Sequence, residues 1–356
     1  MTLEQPIREP AAQRDTDWLA LLGDNARTGG QPVRTAMKPP VRSRWQLRVG
    51  ISVRSAPVLR DQILYVATLS STLHAIDTKT GRPKWIFEAP AQIHATPALA
   101  GSTLLVGCDD GKLYALDCKT GARAWTFPTS AEIWSSPVVR NNIAYFGSAD
   151  GKFYSVHAET GKPGWAQNLN SRIYGTAYAA GTSLYIGSGD GRISSLNLAD
   201  GKTLWSTQTG NGIDASPALA SGLVLIGSED FYFYALDAAT GEVRWKVETG
   251  LGISSSAAVL GDLVVFGGKD TQMYALDVAT GKLRWKTQVG SVVTAPPVIG
   301  SPVTFVQAAG GIMALDNATG KRVWRAGLGS SVQSSPVLTD EAIYVASLDG
   351  DVYALE

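Results

Sequence analysis

Eight positions of this sequence hold residue types that could bind or transform a small molecule. They lie close to 40 residues apart, no two are alike, and they are Arg54, His94, Trp134, Tyr174, Asp214, Ser254, Thr294 and Gln333. The flanking positions are constant by contrast. Val or Ile precedes each of the eight, and Ser, Ala or Gly follows it. One variable position within a constant repeat marks a candidate site.

Two kinds of chemistry fit these residues. In an enzyme, His94, Tyr174 and Asp214 would be the candidate proton-transfer groups, and Arg54 would stabilise an anion. In a binding protein, aromatic walls with a few convergent polar groups are how small-molecule sites are built. The candidate ligand-binding residues are Arg54, His94, Trp134, Tyr174, Asp214, Gln333 and Tyr232. Drift at a solvent-filled pore is the alternative interpretation of the same variation.

Tyr232 belongs to a second departure from the repeat. The segment Glu229-Asp230-Phe231-Tyr232 replaces the Asp-Gly turn found at Asp110-Gly111, Asp150-Gly151 and Asp190-Gly191. An exposed aromatic pair here could extend the pocket or contact a protein. Ordinary packing of a replaced turn explains it equally well.

A tryptophan register predicts the elements that position these side chains. Eight tryptophans follow one another at steps of 40 residues, the last at 39, namely Trp45, Trp85, Trp125, Trp165, Trp205, Trp245, Trp285 and Trp324. A period of about 40 to 45 residues built of short strands is typical of a β-propeller. The third repeat is predicted to form strands a to d, with bounds Ile133–Arg140, Ile143–Ser148, Phe153–His157 and a last strand opening at Trp165.

We therefore predict an all-β fold, an eight-bladed β-propeller of four-stranded antiparallel blades. The sequence ends in a c-strand, whereas the segment around Trp45 is a d-strand that precedes every a-strand. The N-terminal strand should thus pair with the C-terminal blade and remove two open sheet edges. The predicted division is a strap or extension at residues 1–44 and the propeller at residues 45–356.

Other conspicuous residues are predicted to be structural. The recurring Asp-x-x-Thr-Gly turns, as at Asp117 to Gly121, place a carboxylate where it can accept backbone N–H groups. The tryptophans repeat in every unit and should dock one blade on the next. Two cysteines, Cys108 and Cys118, are too few for a disulfide framework, and Cys108 is predicted to be small and buried.

These repeats resemble the PQQ-type, BamB-like propeller family. The resemblance rests on the G-x-x-x-W step, the A/S-P-V/A lead-in to strand a, the L-Y-A-L-D strand and the D-x-x-T-G turn, and it covers about residues 45–356. Residues Asp17 to Gly29 and Lys38-Pro39-Pro40 resemble the strap found ahead of such propellers. The resemblance implies either a quinone- and calcium-dependent dehydrogenase or a non-enzymatic scaffold.

The scaffold is the leading hypothesis. The uniform blades lack the long insertions, adjacent cysteines and acidic calcium set that the resemblance implies for the dehydrogenases, so we expect no cofactor and no metal. The function predicted is a non-catalytic binding or assembly scaffold. The alternative is a small-molecule-binding protein or metal-free enzyme with its site at the channel mouth.

Bulk properties limit the partners. Lysine plus arginine equals aspartate plus glutamate at 31 each, so no basic surplus invites nucleic acid. No 18-residue apolar run is present, and we expect no membrane insertion. The partner should be a protein or a small molecule at a propeller face, and the protein a monomer. With no visible signal peptide the expected location is cytoplasmic, or periplasmic if such a peptide precedes this sequence.

Overall fold

The computed structural model describes residues 42–356 and confirms the eight-bladed propeller. Thirty-two strands form eight separate four-stranded antiparallel sheets. Blades 1 to 7 each take four consecutive strands, beginning with β2 to β5, and blade 8 combines β30, β31 and β32 with β1. Of the predicted strap at residues 1–44, only residues 42–44 lie within the described part of the chain.

Each blade runs from an innermost a-strand to an outer d-strand. The a-strands are β2 (Val58–Arg60), β6 (Ala98–Ala100), β10 (Val138–Arg140), β14 (Tyr178–Ala180), β18 (Ala218–Ala220), β22 (Ala258–Leu260), β26 (Val298–Ile299) and β30 (Val337–Leu338). The b-strands are β3 (Ile63–Ala67), β7 (Thr103–Gly107), β11 (Ile143–Gly147), β15 (Ser183–Gly187), β19 (Leu223–Gly227), β23 (Leu263–Gly267), β27 (Val303–Ala308) and β31 (Ile343–Ala346).

The two outer strands of each blade are longer. The c-strands are β4 (Thr72–Asp77), β8 (Lys112–Asp117), β12 (Lys152–His157), β16 (Arg192–Asn197), β20 (Tyr232–Asp237), β24 (Gln272–Asp277), β28 (Gly311–Asp316) and β32 (Asp351–Leu355). The d-strands are β1 (Ser43–Arg48), β5 (Pro83–Glu88), β9 (Arg123–Pro128), β13 (Pro163–Asn168), β17 (Thr203–Gln208), β21 (Val243–Glu248), β25 (Leu283–Gln288) and β29 (Arg322–Gly327).

The a-strand is shorter than the sequence predicted. In blade 3 it covers Val138–Arg140, and the predicted residues 133–137 are not strand. Their backbone groups bond to neighbouring blades instead: Ile133 N donates to Cys108 O at 3.2 Å, and Ser136 N donates to Thr176 Oγ1 at 3.1 Å. Pro137 has no N–H to offer a strand ladder. The lead-in to strand a is therefore a connector between blades.

Seven of the eight rim tryptophans, Trp45 to Trp285, dock on a turn glycine of the following blade, as predicted. Trp85 Nε1 donates to Cys118 O at 3.0 Å, and Gly121 lies against the indole so closely that a Cβ on it would come within 2.6 Å of the ring. Gly121 also has φ of +72°, which a side chain would strain. The same glycine-on-indole contact recurs from Gly81 on Trp45 to Gly320 on Trp285. One turn residue thus fixes the spacing of adjacent blades.

A second set of contacts joins the blades near the axis. The hydroxyl groups involved accept a backbone N–H from the residue 40 positions earlier, and they belong to Thr96, Ser136, Thr176, Ser216 and Ser256. These groups are buried, so the bonds satisfy polar atoms that water cannot reach. Adjacent blades are therefore joined by two independent sets of contacts, one at the rim and one near the axis.

The N-terminal strand closes the ring, which confirms the predicted closure. Strand β1 pairs antiparallel with β32, with Trp45 opposite Ala354. Glu356 occupies the place of the turn aspartate of other blades, and its carboxylate is held by Arg44 at 2.5 Å and Arg42 at 2.7 Å. Arg44 of β1 and Arg42, the residue before β1, replace the covalent turn that joins strands c and d in the other blades.

The structural roles assigned to the turn aspartates and the cysteines are also confirmed. Asp117 Oδ1 accepts from Thr120 N and Thr120 Oγ1, both at 2.9 Å, and the hydroxyl bond lowers the pKa of this carboxyl. Cys108 and Cys118 are free and buried, and burial raises the pKa of each thiol to about 11. Such thiols are inert.

The glycine-on-indole contact can be tested with a matched pair of substitutions. Gly241 and Gly222 have nearly equal φ values, +76° and +75°, but only Gly241 faces an indole, that of Trp205, at 2.5 Å from an added Cβ. Gly241→Ala should be less stable than Gly222→Ala by about 2 kcal/mol, because only the first adds overpacking to backbone strain. Chemical denaturation measures both, and equal losses would contradict the contact.

Closure of the ring predicts the effect of removing β1. Deletion of residues 1–50 leaves the edge of β32 unpaired and should lower stability by on the order of 5 kcal/mol, from lost ladder bonds worth about 1 kcal/mol each. Calorimetry should show the melting temperature of the whole ring falling in one transition. A synthetic peptide of residues 42–50 added in trans should restore part of the loss. An unchanged melting temperature would refute the closure.

Candidate functional site

The eight variable residues sit where each blade begins, beside the axis. The residue before each of them is buried, and in five blades it lies against a glycine of the previous blade. Ile133 lies so close to Gly107 that a Cβ there would be 2.4 Å from Ile133 Cγ2. Innermost strands of adjacent blades contact one another, as β6 does β10. The variable side chains are thus held on a fixed backbone circle at one mouth of the channel.

Three of these residues form a continuous aromatic stack across blades 2, 3 and 4. The rings of His94 and Trp134 are 4.3 Å apart at 23°, and those of Trp134 and Tyr174 are 4.5 Å apart at 25°. Arg172 lies 5.3 Å from the centre of the Tyr174 ring. Residues 40 positions apart can touch in this way only where blades converge on the axis. Stacking covers the facing sides of the three rings.

His94 is held neutral within this stack. Burial lowers its pKa, and the positive charge of Arg54 lowers it further. Its Nε2 lies 3.4 Å from Asp109 Oδ2. Burial raises the pKa of Asp109, as do Glu132 and Asp110, while the indole N–H of Trp134 opposes the rise without completing a hydrogen bond. The imidazole and the carboxyl group therefore meet as a polar contact.

Asp109 belongs to a second variable position that the sequence analysis missed. In the seven blades whose b–c turns have equal length, the second residue after the end of strand b is Leu69, Asp109, Ala149, Gly189, Glu229, Lys269 or Leu348. Its N–H donates to the d–a loop of the same blade, as Asp109 N does to Gln92 O at 3.0 Å. This second variable position was visible in the sequence, but only the hydrogen bond shows that it lies next to the first one.

Blades 5 and 6 contribute several polar side chains to the channel mouth. Glu229 pairs with Lys269 at 2.7 Å across the two blades. Asp214 and Ser254 are half-buried. The atoms Asp214 Oδ1, Glu229 Oε1 and Ser254 Oγ are buried and have no hydrogen-bond partner within residues 42–356. Within the described part of the chain, comparable unpaired atoms lie in blades 2 and 3, at Asp109 Oδ1, Trp134 Nε1 and Ser135 Oγ.

Blade 7 differs from blades 5 and 6 because an additional buried side chain, that of Gln307, makes hydrogen bonds near the channel mouth. Gln307 stands where other blades have Gly or Ala, and it is buried. Its Oε1 accepts from Thr294 N at 3.4 Å and Ala295 N at 3.2 Å, and its Nε2 donates to Val292 O at 2.9 Å. Gln307 thus occupies part of the space beside Thr294. Gln333 in blade 8 is half-buried.

The two aromatic residues of the replaced turn, Phe231 and Tyr232, lie in different environments. Tyr232 packs ordinarily, with Lys246 Nζ 4.1 Å from its ring centre. Phe231 instead is 44% exposed and adopts φ of +76°, the turn position where Gly111, Gly151 and Gly191 stand in other blades. Leu251, 47% exposed, is next to it, because Thr249 Oγ1 bonds to the carbonyl oxygens of both residues.

The geometry limits the chemistry of the site. No hydrogen bond or ion pair among the described residues joins His94 to Asp214, so these two candidates do not form an acid–base pair. Residues 42–356 contain no group of three or more His, Cys, Asp or Glu that could hold a metal ion. The two cysteines are separated in sequence. The residues present do not fit the quinone–calcium arrangement that the resemblance implies for dehydrogenases.

The fold and the ring define a closed eight-bladed propeller with a differentiated face at one channel mouth. The chain belongs to the PQQ_2 family, described as outer membrane protein assembly factor BamB, whose profile matches residues 25–176 and 154–356. This confirms the family resemblance stated from the repeats. No curated protein matches the sequence. In the described part of the chain, no helix has the length and apolar character needed to cross a bilayer.

Solved structures share the fold at low identity. BamB from Moraxella catarrhalis superposes with a TM-score of 0.77 at 20% identity, covering 88% of this chain and 99% of that one. Quinohemoprotein alcohol dehydrogenase from Comamonas testosteroni superposes with a TM-score of 0.84 at 18% identity, covering 96% and 81%. The designed protein Ika8 gives 0.78 at 20%, covering 89% and 99%. A scaffold, an enzyme and a designed protein share this architecture, so these likenesses establish the fold alone.

The electrostatics of His94 predict a pH dependence of stability. Because its pKa is lower in the folded than in the unfolded protein, the unfolded state binds the proton more readily below about pH 6.5. Stability attributable to His94 is thus complete above that pH and declines as the pH falls. His94→Phe keeps an aromatic ring beside Trp134 and should lose less stability than the wild type between pH 7 and pH 5.

Denaturation at pH 8, 7, 6 and 5 checks this. The pH 8 values give the baseline for each protein, because the imidazole is then neutral in both folded and unfolded chains. The raised pKa of Asp109 acts in the opposite sense at lower pH and is present in both proteins. Parallel stability curves for the two proteins would show that His94 does not titrate as described.

Proposed function

We propose that this protein is a non-catalytic binding scaffold that holds a protein partner on the face carrying the d–a loops and b–c turns. The observation that carries the proposal is the exposed apolar pair Phe231 and Leu251. A rigid closed ring with variable loops suits such a role. The family description, an outer membrane protein assembly factor, supports it.

Comparison of the blades shows that the fold does not need this pair. At the position of Phe231 other blades have glycine, Ser71 or Thr271, and at the position of Leu251 the neighbouring blades have Asn211 and Ser291. A left-handed conformation costs a non-glycine residue about 1 kcal/mol or more. A bulky aromatic residue kept in a strained, exposed turn is typical of a functional site.

The contacts of the catalytic candidates favour binding over catalysis. His94 is neutral, stacked on Trp134 and in contact with Asp109. A general base must reach the proton it removes, together with a group that completes the transfer. His94, Tyr174 and Asp214 make no such arrangement with one another. The likeness to dehydrogenases extends to the fold and is not matched by their residues.

Substitution of the pair tests the proposal. Phe231→Gly and Leu251→Ser should abolish capture of the partner from extracts of the native host, quantified by mass spectrometry. The melting temperature of Phe231→Gly should be equal to or above that of the wild type, because glycine relieves the strain at φ of +76°. Loss of binding would then not reflect unfolding.

A matched control is the same turn position in blade 1. Ser71 also has positive φ, +63°, and Ser71→Gly should retain capture. Proteins enriched by the wild type and by Ser71→Gly, but lost with both blade 5 variants, would support the docking face. Recovery of one identical set by all four proteins would contradict it.

A further inference from the structure

We propose that Asn211 is a site of spontaneous deamidation, at which the backbone nitrogen of Gly212 attacks the side-chain amide and converts it to a carboxylate. The site lies in the d–a loop that leads into blade 5, on the face that carries Phe231 and Leu251. The modification itself does not require the scaffold function. Only its effect on partner capture rests on that proposed function.

The two reacting groups are already in contact. Asn211-Gly212 is the only Asn-Gly pair in the sequence, and Gly212 N donates to Asn211 Oδ1 at 2.8 Å. The reacting carbon, Cγ, is bonded to this oxygen at about 1.23 Å, so it lies no more than about 4 Å from the attacking nitrogen. Reactive conformers have the two atoms about 3–3.5 Å apart, which a small rotation of an exposed side chain provides.

Two hydroxyl groups stabilise the charge that the reaction creates. Gly212 N must lose its proton, and peptide resonance shares the resulting negative charge with the carbonyl oxygen of Asn211. Thr209 Oγ1 lies 2.9 Å and Ser228 Oγ 3.2 Å from that oxygen. Thr209 Oγ1 also lies 2.8 Å from Gly191 O, so its proton can turn toward whichever oxygen is more negative. Donors already placed where charge develops lower the barrier, as in an oxyanion hole.

The hydroxyl pair belongs to the repeat, whereas the amide does not. In blade 3, Thr129 Oγ1 and Ser148 Oγ contact Ala131 O in the same way, at 2.7 and 3.2 Å. None of the other seven blades has an amide side chain at the position of Asn211, where they have Ile51, Ala91, Ala131, Ser171, Leu251, Ser291 and Ser330. The framework therefore exists for structural reasons and becomes reactive only in blade 5.

The reaction needs water and no other reagent. Solvent base removes the proton of Gly212 N, and the nitrogen lone pair forms a bond to Asn211 Cγ. The tetrahedral carbon then expels its NH2 group, which takes a proton from water and leaves as ammonia, so that a five-membered cyclic imide remains. Water opens the imide. Cleavage of the new N–Cγ bond gives aspartate, and cleavage of the bond to the main-chain carbonyl carbon of Asn211 gives isoaspartate.

Isoaspartate lengthens the main chain by one methylene group in a loop that has no room for it. Gly212 O accepts from Glu229 N at 3.0 Å, and this bond ties the loop to the turn that carries Phe231. Ile213 lies so close to Gly187 that a Cβ there would be 2.2 Å from Ile213 Cγ2. The modification should therefore displace the Phe231 turn and lower the melting temperature.

Incubation of the folded protein in heavy-oxygen water at mildly alkaline pH, followed by peptide mass spectrometry, tests the site. Asn211 should acquire one labelled oxygen, mainly as isoaspartate, at least roughly tenfold faster than Asn170, a barrier difference of about 1.4 kcal/mol. Asn170 is the internal control, because it is equally exposed but precedes Ser171, whose side chain hinders attack. An unchanged Asn211 in the folded protein, or conversion no faster than at Asn170, would overturn the proposal.

Two variants test the chemistry. Ser228→Ala should slow the conversion several-fold at an unchanged melting temperature, because it removes one of the two donors. Asn211→Gln should take up no label at this position, since its longer side chain does not form the five-membered ring. An undiminished rate in Ser228→Ala would show that the hydroxyl groups do not assist the reaction.

A further arm separates the modification from the scaffold function. Aged wild-type protein should lose the proteins captured through Phe231, and Asn211→Gln aged in the same way should retain them. Conversion of Asn211 with undiminished capture would sever the link between the two. Retained capture by freshly prepared Phe231→Gly would count against the scaffold function alone and leave the mass-spectrometric result intact.

Discussion

The structure depends on glycines that let the indole of one blade approach the turn of the next. At each such turn the glycine has positive φ and also leaves room for the ring, so no other residue satisfies both conditions. Six of these seven indole N–H groups also bond to the backbone of the same neighbour, as Trp85 does with Cys118 O, and the exception is Trp125. A contact specified this tightly fixes the angle between blades, and repetition of one angle determines how many blades close the circle.

Because other residues make the contacts that close the ring, a few positions near the axis are not needed for those contacts. The inter-blade contacts use the rim tryptophans, the buried Val or Ile at each lead-in, and the inner hydroxyls from Thr96 to Ser256. The residue after each buried Val or Ile makes none of these contacts. It can therefore differ in every blade without disturbing the ring, which is how a rigid scaffold comes to present a recognition surface.

Blade number and closure could be predicted from the sequence because they follow from local chemistry repeated at a fixed period. The tryptophan step, the Asp-x-x-Thr-Gly turn and the final c-strand each have one structural consequence. The shortened a-strand could not be predicted, because the N–H groups of Ile133 and Ser136 are taken by other blades. The contact of Asp109 with His94 was likewise hidden, since a bond between Asp109 N and Gln92 O creates it.

The departures from the repeat divide the channel mouth into two halves of different character. In blades 2 to 4 the aromatic groups satisfy one another by stacking, worth about 0.5–1.5 kcal/mol per pair, and Asp109 meets His94. In blade 5 a turn is strained at Phe231, and apolar area is exposed at Phe231 and Leu251. Buried polar atoms without partners do not distinguish the two halves, because they include Asp109 and Trp134 atoms as well as Asp214 and Glu229 atoms. The strained turn and the exposed apolar pair lower the stability of the isolated chain at one place. A partner that covers this place can recover the free energy that the fold leaves unused there.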